Sequence, residues 1–193
     1  NKMVNGSQMT VTWHVDDLKV SHKDYDEVTK FLYYMGTLYG NRITVNRSDV
    51  HDYLGMDLDF STKGVLRVSM IKYLIKILRG FPEKITSTAA TPASEHLFEV
   101  RPDDKRKLLP EEQAMAFHRA TAQLLFISGR ARPDIKTAVS FLTTRVKSPD
   151  EDDWGKLKRV LKYLKGTLHM KLCLTVDNLN TVGWWVDASY GVH

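Results

Sequence analysis

The chain has 193 residues, of which 42% are hydrophobic, and 28 basic residues outnumber 23 acidic ones to give a net charge of +5. This length allows one or two compact units with a buried core, and the charge is a mild bias towards polyanionic partners. The single cysteine, Cys173, excludes an internal disulfide and fits a reducing, intracellular compartment. No apolar run approaches the roughly 20 residues that a membrane helix needs, so we expect no membrane partner.

Two turn signals divide the first 21 residues into a predicted three-stranded meander. Asn5-Gly6 is a strong hairpin signal, and residues 9–15 alternate apolar with polar side chains as a half-buried strand does. Asp16 and Asp17 interrupt the apolar pattern and predict the second turn. Two adjacent carboxylates would then lie at the tip of a hairpin.

Neighbouring carboxylates repel each other unless a cation lies between them. Their hard oxygen atoms suit Mg²⁺ or Mn²⁺, and a pair of such ions is a common apparatus for phosphoryl transfer. The alternative is a turn dipeptide that binds nothing, because short acidic motifs have many false positives. The two aspartates alone do not decide between these interpretations.

Three stretches of the chain resemble one family. His14-Val15-Asp16-Asp17 resembles the palm motif of reverse transcriptases, usually Tyr-X-Asp-Asp, with His14 in place of the tyrosine. Residues 52–56 resemble the primer-grip region of copia-type LTR retrotransposons, and residues 125–167 resemble the connection region of the same polyproteins. The residues that carry this last likeness are Arg132-Pro133-Asp134-Ile135 and Arg159-Val160-Leu161-Lys162-Tyr163-Leu164-Lys165-Gly166-Thr167.

The stretch between these motifs contains further predicted elements. Residues 23–39 are predicted to form a helix capped by Asp24, and residues 52–70 a second hairpin that turns at residues 61–64. Asp57 and Asp59 are expected to be solvated strand positions, because carboxylates would repel a phosphate backbone. Residues 71–79 predict an amphipathic helix with an apolar face of Ile71, Leu74, Ile75 and Leu78. Its polar face carries Lys72, Lys76 and Arg79. This basic stripe is either a solvated face or a contact for phosphates, and the resemblance implies the first thumb helix, which follows the primer–template duplex.

Residues 81–109 are interrupted by prolines and predict a surface linker with one anchor at Leu97-Phe98. Three helices follow; Pro110 is placed in the first turn of one and Ser148 as the N-cap of the last. The predicted buried residues include Leu125 in the first of them and Ile135, Ala138, Val139 and Leu142 in the second. Arg132 is expected to hydrogen-bond a carboxylate or a helix end. The outer face of the last helix is either solvated or a phosphate contact; it carries Lys158, Arg159, Lys162 and Lys165.

The last segment predicts a strand over residues 172–176 and a second strand over residues 182–189. The resemblance implies that the second is the opening strand of an RNase H domain, with Asp187 as the first of its metal-binding carboxylates. Asn1 is not an initiator methionine, and His193 follows a strand without a closing element. We therefore expect a piece of a longer open reading frame.

Together these observations predict an α+β fold in which antiparallel palm hairpins are followed by a helical thumb and connection region and a terminal strand pair. The expected units are residues 1–70, the C-terminal part of a palm with a primer-grip-like hairpin, and residues 71–110, a thumb-like helix and linker. Residues 111–170 would form the connection region, and residues 171–193 the first strands of a truncated RNase H-like domain.

The resemblance implies a parent polyprotein with reverse transcriptase and RNase H activities, found in a cytoplasmic virus-like particle and in the nucleus. Its substrates would be a template–primer duplex and deoxynucleoside triphosphates, its cofactor Mg²⁺ or Mn²⁺, and its partners the polyprotein segments upstream and downstream. The implied metal ligands here are Asp16 and Asp17. We expect no polymerase or RNase H activity from this chain alone, because another palm aspartate and the fingers would lie upstream and further RNase H carboxylates downstream.

A different class of function stays open. The chain could be a domesticated remnant that binds nucleic acid or protein without catalysis, and the basic stripe is the feature that would distinguish it. An unrelated phosphotransfer enzyme is disfavoured, because the sequence has no glycine-rich phosphate loop.

Overall fold

The structure is a computed structural model that describes residues 1–176 together with Gly183 and Val186. Within these residues the fold is α+β, as predicted, with two antiparallel sheets and five α-helices. The strands are β1 (Lys2–Val4), β2 (Ser7–His14), β3 (Asp17–Ser21), β4 (Val50–Tyr53), β5 (Met56–Thr62), β6 (Val65–Ser69) and β7 (Leu172–Thr175). The helices are α1 (Tyr25–Tyr39), α2 (Ile71–Gly80), α3 (Glu111–Ser128), α4 (Lys136–Arg145) and α5 (Glu151–Gly166).

The first sheet is the predicted meander, in the order β1-β2-β3. Its first turn is Asn5-Gly6, where both residues have positive φ (46° and 72°), as a tight hairpin turn requires. The prediction of a second turn at Asp16-Asp17 was wrong by one residue. His14 pairs with Asp17, so the turn is Val15-Asp16 and Asp17 is the first residue of β3.

Helix α1 follows the first sheet and is tied to it by polar contacts. Asp24 is its N-cap, as predicted, because its side chain accepts a hydrogen bond from the Asp26 N–H; the helix therefore begins at Tyr25 and not at residue 23. The Asn5 side chain donates a 2.7 Å hydrogen bond to the buried carboxylate of Glu27. This contact holds the first turn against the start of α1.

The second sheet has the order β4-β5-β6-β7. The prediction of a single hairpin over residues 52–70 missed one turn. Leu54 and Gly55 form a turn that separates β4 from β5. Both have positive φ, 54° and 73°, and Tyr53 pairs with Met56 across the turn. The first predicted terminal strand is β7, which pairs with β6; the second predicted strand lies outside the described residues, apart from Gly183 and Val186.

One hydrophobic core joins the second sheet to helices α2 to α5. It contains Leu58 and Val68 from the sheet, and its fully buried helix side chains include Leu74, Phe117, Leu124, Ile127, Leu142, Leu157, Leu161 and Leu164. The segment of residues 81–109 contributes to the same core and is not the surface linker that its prolines predict. Its buried apolar side chains are Phe81, Ile85, Leu97 and Leu109.

The predicted helices of this core differ from the observed ones at their ends. Pro110 is the N-cap of α3 and not its first helical residue, and Leu125, predicted to be buried, is 47% exposed. The N-cap of α5 is Asp150 and not Ser148. The Asp150 carboxylate accepts from the Asp153 N–H at 2.9 Å, and the Asp153 carboxylate accepts from the Asp150 N–H at 3.1 Å, which completes a reciprocal capping box.

Basic side chains of α5 hold the segment of residues 83–91 in place. Lys158 Nζ lies 2.5 Å from Glu83 Oε2, and Lys165 Nζ donates to the carbonyl oxygens of Ile85 and Thr86. The hydrogen bond from Lys158, with one from Trp154 Nε1, lowers the pKa of Glu83 below its ordinary value. Lys158 and Lys165 are therefore structural cations, which neither predicted interpretation of this face included.

Arg132 is the centre of a buried polar network between the start of α4 and the end of α5. Its side chain is only 2% exposed and forms a bidentate pair with Asp134, with an Nη2–Oδ2 distance of 2.7 Å. It also donates to the carbonyl and the hydroxyl oxygen of Thr167. The expectation that Arg132 hydrogen-bonds a carboxylate or a helix end is confirmed, and the structure shows both contacts.

The network fixes the charge of Asp134. Burial alone would raise the pKa of Asp134, but the hydrogen bonds from Arg132 and from the Tyr163 hydroxyl outweigh burial and lower it. The carboxylate therefore stays ionised beside the guanidinium at neutral pH. Such a pair is costly to break, because removing one partner leaves the other charge poorly compensated.

We predict that Arg132→Ala lowers the free energy of unfolding by about 3–5 kcal/mol, because it leaves the Asp134 carboxylate and the Thr167 carbonyl without their donor. Urea unfolding followed by circular dichroism measures this change. The matched control is Arg79→Ala on the exposed side of α2, which should change the value by less than about 0.5 kcal/mol. Equal effects of the two substitutions would contradict the role given to the network.

Candidate functional site

The turn between β2 and β3 presents two exposed carboxylates. Asp16 lies in the turn and Asp17 begins β3. Neither carboxylate forms a hydrogen bond or ion pair with the part of the chain that the structure describes. Trp13 closes the turn on one side, since its Nε1 donates a 2.6 Å hydrogen bond to the Val15 carbonyl. Both aspartates are thus free to bind a ligand from outside the hairpin.

The pairing of β2 with β3 determines which side chains share a face with these carboxylates. His14 pairs with Asp17 and Thr12 with Lys19, so these four polar residues lie on one face of the sheet. Lys19 Nζ lies 5.4 Å from the centre of the Phe60 ring, which brings this face towards β5. The Lys19 side chain therefore lies on the same face as Asp17, two residues further along β3.

A cleft of about 840 Å³ opens beside the turn, with Asp16 and Asp17 in its wall. Helix α1 lines one side, and the segment of residues 42–49 lines the other. This segment is fastened by Arg47, whose guanidinium stacks 3.6 Å from the Tyr25 ring centre and donates to the Thr29 hydroxyl at 2.8 Å. The volume lies within the range of about 300–1,000 Å³ that is usual for small-molecule sites.

The donor atoms at the turn fit a divalent metal ion in kind but not in number. Carboxylate oxygens are the ligands that Mg²⁺ and Mn²⁺ prefer. Among the described residues, however, no group of three or more His, Cys, Asp or Glu side chains could hold a metal ion. Asp16 and Asp17 would need further ligands from water, a nucleotide phosphate or another polypeptide segment. Asp187, the third predicted metal ligand, lies outside the described residues.

The basic stripe of α2 is exposed, and the opposite side of the helix is buried in the core. Lys72, Lys76 and Arg79 all face solvent, whereas Leu74 and Ile77 are almost fully buried. Of the predicted apolar face only Leu74 is buried; Ile71, Ile75 and Leu78 are half-buried, and Ile77 was missed.

Part of the stripe has an acidic neighbour. Lys72 Nζ lies 3.6 Å from Asp57 Oδ1, whereas Lys76 and Arg79 have no hydrogen-bond or ion-pair partner within the described residues. Asp59, predicted with Asp57 to be a solvated strand position, lies 3.4 Å from Lys171 Nζ. Hydrogen bonds from Ser61, with a smaller contribution from Lys171, lower the pKa of Asp59. Asp57 and Asp59 are therefore ion-paired, whereas Lys76 and Arg79 of α2 have no acidic partner among the described residues.

Sequence reasoning missed the cleft beside the turn. Its wall depends on Arg47, which lies in a loop outside the recognised motifs and contacts α1. No periodicity in residues 42–49 indicates that contact. Trp13 was read only as an apolar strand position. The sequence Arg47-Ser48-Asp49, which follows a helix that ends at a glycine, is typical of an ordinary loop and does not indicate this contact.

The chain is similar to proteins of retrotransposons. It is 29% identical over 183 residues to the transposon Ty5-1 protein YCL074W of Saccharomyces cerevisiae, which covers 92% of this chain and 56% of that protein. It is 27% identical to the retrovirus-related Pol polyprotein from transposon TNT 1-94 of Nicotiana tabacum, over 83% of this chain. It is 26% identical to the Pol polyprotein from transposon RE2 of Arabidopsis thaliana, over 92% of this chain.

The matched region is a small part of these relatives. The chain spans about half of the Ty5-1 protein and 12% of each Pol polyprotein. No protein-family model matches the chain, and no solved structure matches it. The similarities support the coarse prediction of a fragment related to retrotransposon polyproteins. None of the helices in residues 1–176 is long and apolar enough to cross a membrane.

We predict that replacing Lys72, Lys76 and Arg79 together by Gln weakens the binding of a DNA or RNA–DNA duplex and makes it less dependent on salt. If the three cations each contact a phosphate, the slope of log K against log salt should fall by about 2–3. Fluorescence anisotropy of a labelled duplex at several salt concentrations measures the slope.

The matched control for this measurement replaces three other exposed lysines, Lys23, Lys105 and Lys147, by Gln and so removes the same charge. This variant should keep a slope close to that of the unchanged chain. If both variants lower the slope equally, net charge and not the α2 stripe determines binding, and the stripe prediction is wrong.

Proposed function

We propose that this chain is part of a reverse transcriptase from a copia-type retrotransposon polyprotein. In this proposal the β2–β3 turn is the palm turn, the β4–β5 turn at Leu54-Gly55 belongs to the primer-grip region, and α2 is the first thumb helix. The similarity to Pol polyproteins supports the class of parent protein. The finer assignments rest on the motifs and on the geometry of the turn.

The observation that carries the proposal is the state of the two carboxylates at the turn. Elsewhere in the described residues, Asp134, Asp150 and Asp153 are ion-paired to arginine. Asp16 and Asp17 are adjacent in sequence, exposed and without any partner. Neighbouring like charges repel each other, and a bound divalent cation would remove this repulsion.

The chemistry that follows is nucleotidyl transfer from a deoxynucleoside triphosphate to a primer. When bound, Mg²⁺ or Mn²⁺ would activate the primer 3′ hydroxyl and neutralise charge on the phosphates. The hairpin would hold the Asp16 and Asp17 carboxylates for that ion, and Lys72, Lys76 and Arg79 would bind the backbone of the template–primer duplex. Asp187 remains a proposed ligand of a separate RNase H site.

A second candidate is a nucleic-acid-binding module without catalysis. It is favoured by the free cations of α2, which require no metal ion, and by the lack of a third metal-ligating side chain among the described residues. The two candidates differ in one property, because only the first requires that the β2–β3 turn binds a divalent cation.

Manganese titration tests the proposal on the isotope-labelled chain. Mn²⁺ is paramagnetic, so at low occupancy it should broaden the amide signals of residues 14–18 before others. The variant with Asp16→Asn and Asp17→Asn should lose this broadening. The control variant with Asp103→Asn and Asp104→Asn, another adjacent and exposed pair, should keep it.

The same experiment can reject the proposal. Broadening at residues 14–18 that persists in the Asp16→Asn, Asp17→Asn variant would show that the turn carboxylates are not the ligands. If Mn²⁺ broadens no signal near the turn while duplex binding still depends on α2, the binding module without catalysis is the better account.

A further inference from the structure

The outer face of α5 carries four basic residues with two different roles. Lys158 is neutralised by Glu83, and the Lys165 ammonium is held by two backbone carbonyls. The remaining two, Arg159 and Lys162, have no acidic partner among the described residues. Arg159 makes one hydrogen bond, from Nη2 to the Thr91 hydroxyl at 2.9 Å, and its Nε is buried without an acceptor.

These two cations line a cleft of about 770 Å³ between α5 and the segment of residues 88–99. Residues three apart on a helix lie on the same face with Cβ atoms about 5–6 Å apart, so Arg159 and Lys162 can contact one ligand group together. The opposite wall carries hydroxyl groups from Thr88 and Ser94 beside a small apolar surface of alanines and Pro92.

The acidic residues of the cleft already have partners. Asp152 Oδ2 lies 2.6 Å from Arg101 Nε, Glu151 Oε1 lies 2.6 Å from Lys107 Nζ, and Glu99 Oε1 lies 2.6 Å from His96 Nδ1. The third cation of the lining, Lys156, donates to the Glu99 carbonyl. The charges of Glu99, Glu151 and Asp152 are matched in number by those of Lys156, Lys107 and Arg101, so the charge left over is positive and corresponds to the two cations Arg159 and Lys162.

Gly155 keeps the floor of the cleft open. It lies one helical turn before Arg159, in the interior of α5, where glycine is normally unfavourable. A Cβ atom added at this position would have no other atom within 4 Å. The space above Gly155 is thus available to a ligand, and a larger side chain could fill it without displacing the backbone.

We propose that this cleft binds the terminal phosphate of a nucleotide, through Arg159 and Lys162. A phosphate monoester carries a charge of about −1.5 to −2 at pH 7, which matches two uncompensated cations, whereas each phosphodiester of a nucleic-acid backbone carries one. Guanidinium and ammonium groups bind such oxygens by charge-assisted hydrogen bonds, and the hydroxyls can donate further ones. The nucleotide is either free or at the 5′ end of a strand, since both present the same group.

Titration of the labelled full chain with AMP, followed by amide chemical shifts, tests this inference. We expect saturable shifts in residues 88–99 and 155–162, and none from adenosine at the same concentration. Lys162→Gln should weaken AMP binding by about tenfold, the loss expected for one charge-assisted hydrogen bond. Lys147→Gln, an exposed lysine just after α4 with the same change of charge, should leave the affinity unchanged.

Gly155→Leu separates loss of binding from loss of folding. Leucine is a better helix former than glycine, so this variant should unfold at the same or a higher temperature while AMP binding is abolished. A 5′-phosphorylated oligonucleotide is then compared with the same strand bearing a 5′ hydroxyl. Binding of AMP alone assigns the site to free nucleotides, and binding of both AMP and the phosphorylated strand extends it to strand ends.

Three results would overturn the inference. The first is AMP binding that is unchanged by Lys162→Gln and by Gly155→Leu. The second is equal binding of the 5′-hydroxyl strand, which would show recognition of the diester backbone. The third is displacement of AMP by sulfate at equal concentration, which would show that the cleft attracts anions without recognising a nucleotide.

Discussion

The buried guanidinium of Arg132 is the interaction on which the helical half of the molecule depends. It is the largest fully buried side chain of the described residues, and it joins the start of α4 to the last residues of α5 through Asp134 and Thr167. A charge at this depth is tolerated only because each of its donors has an acceptor within reach. Because α2, α3 and the second sheet share the same core as these helices, the exposed cations of α2 are carried on a well-packed support.

The β2–β3 turn has a different environment. Trp13 and Val15, beside the two aspartates, are 75% and 79% exposed, and Leu18, which pairs with Trp13, is 43% exposed. Apolar side chains grouped in this way commonly mark a surface that binds another polypeptide or a ligand. The proposed function therefore divides between two regions: a rigid core that presents cations, and a hairpin that presents free carboxylates beside a cleft.

Much of the fold was predictable where local rules decide the structure. Helical periodicity located α3, α4 and α5, and all four predicted core residues from Ile135 to Leu142 are buried. The predictions were wrong where strand pairing or tertiary contacts determine the local structure. The turn shifts from Asp16-Asp17 to Val15-Asp16 because strand register sets it, and Gly55 allows a turn inside an apolar run. The segment of residues 81–109 places four apolar side chains in the core, and distant residues of α5 hold its first part.

For the candidate site, the adjacent aspartates and the basic stripe were visible as motifs, and both are exposed as the motifs require. The clefts were not visible, because each is formed by a loop that packs on a helix through single cations, Arg47 in one and Arg159 in the other. No spacing rule connects a loop threonine such as Thr91 with a helix arginine 68 positions later. Asp187 lies outside the described residues, so its role rests on the motif alone.

The most direct test of the central claim is anomalous diffraction from crystals of the chain grown with a template–primer duplex and Mn²⁺. The account predicts an anomalous peak about 2 Å from a carboxylate oxygen of Asp16 or Asp17, the distance expected for an ion of this size. A fully occupied manganese site elsewhere, with no peak at the β2–β3 turn, would contradict it.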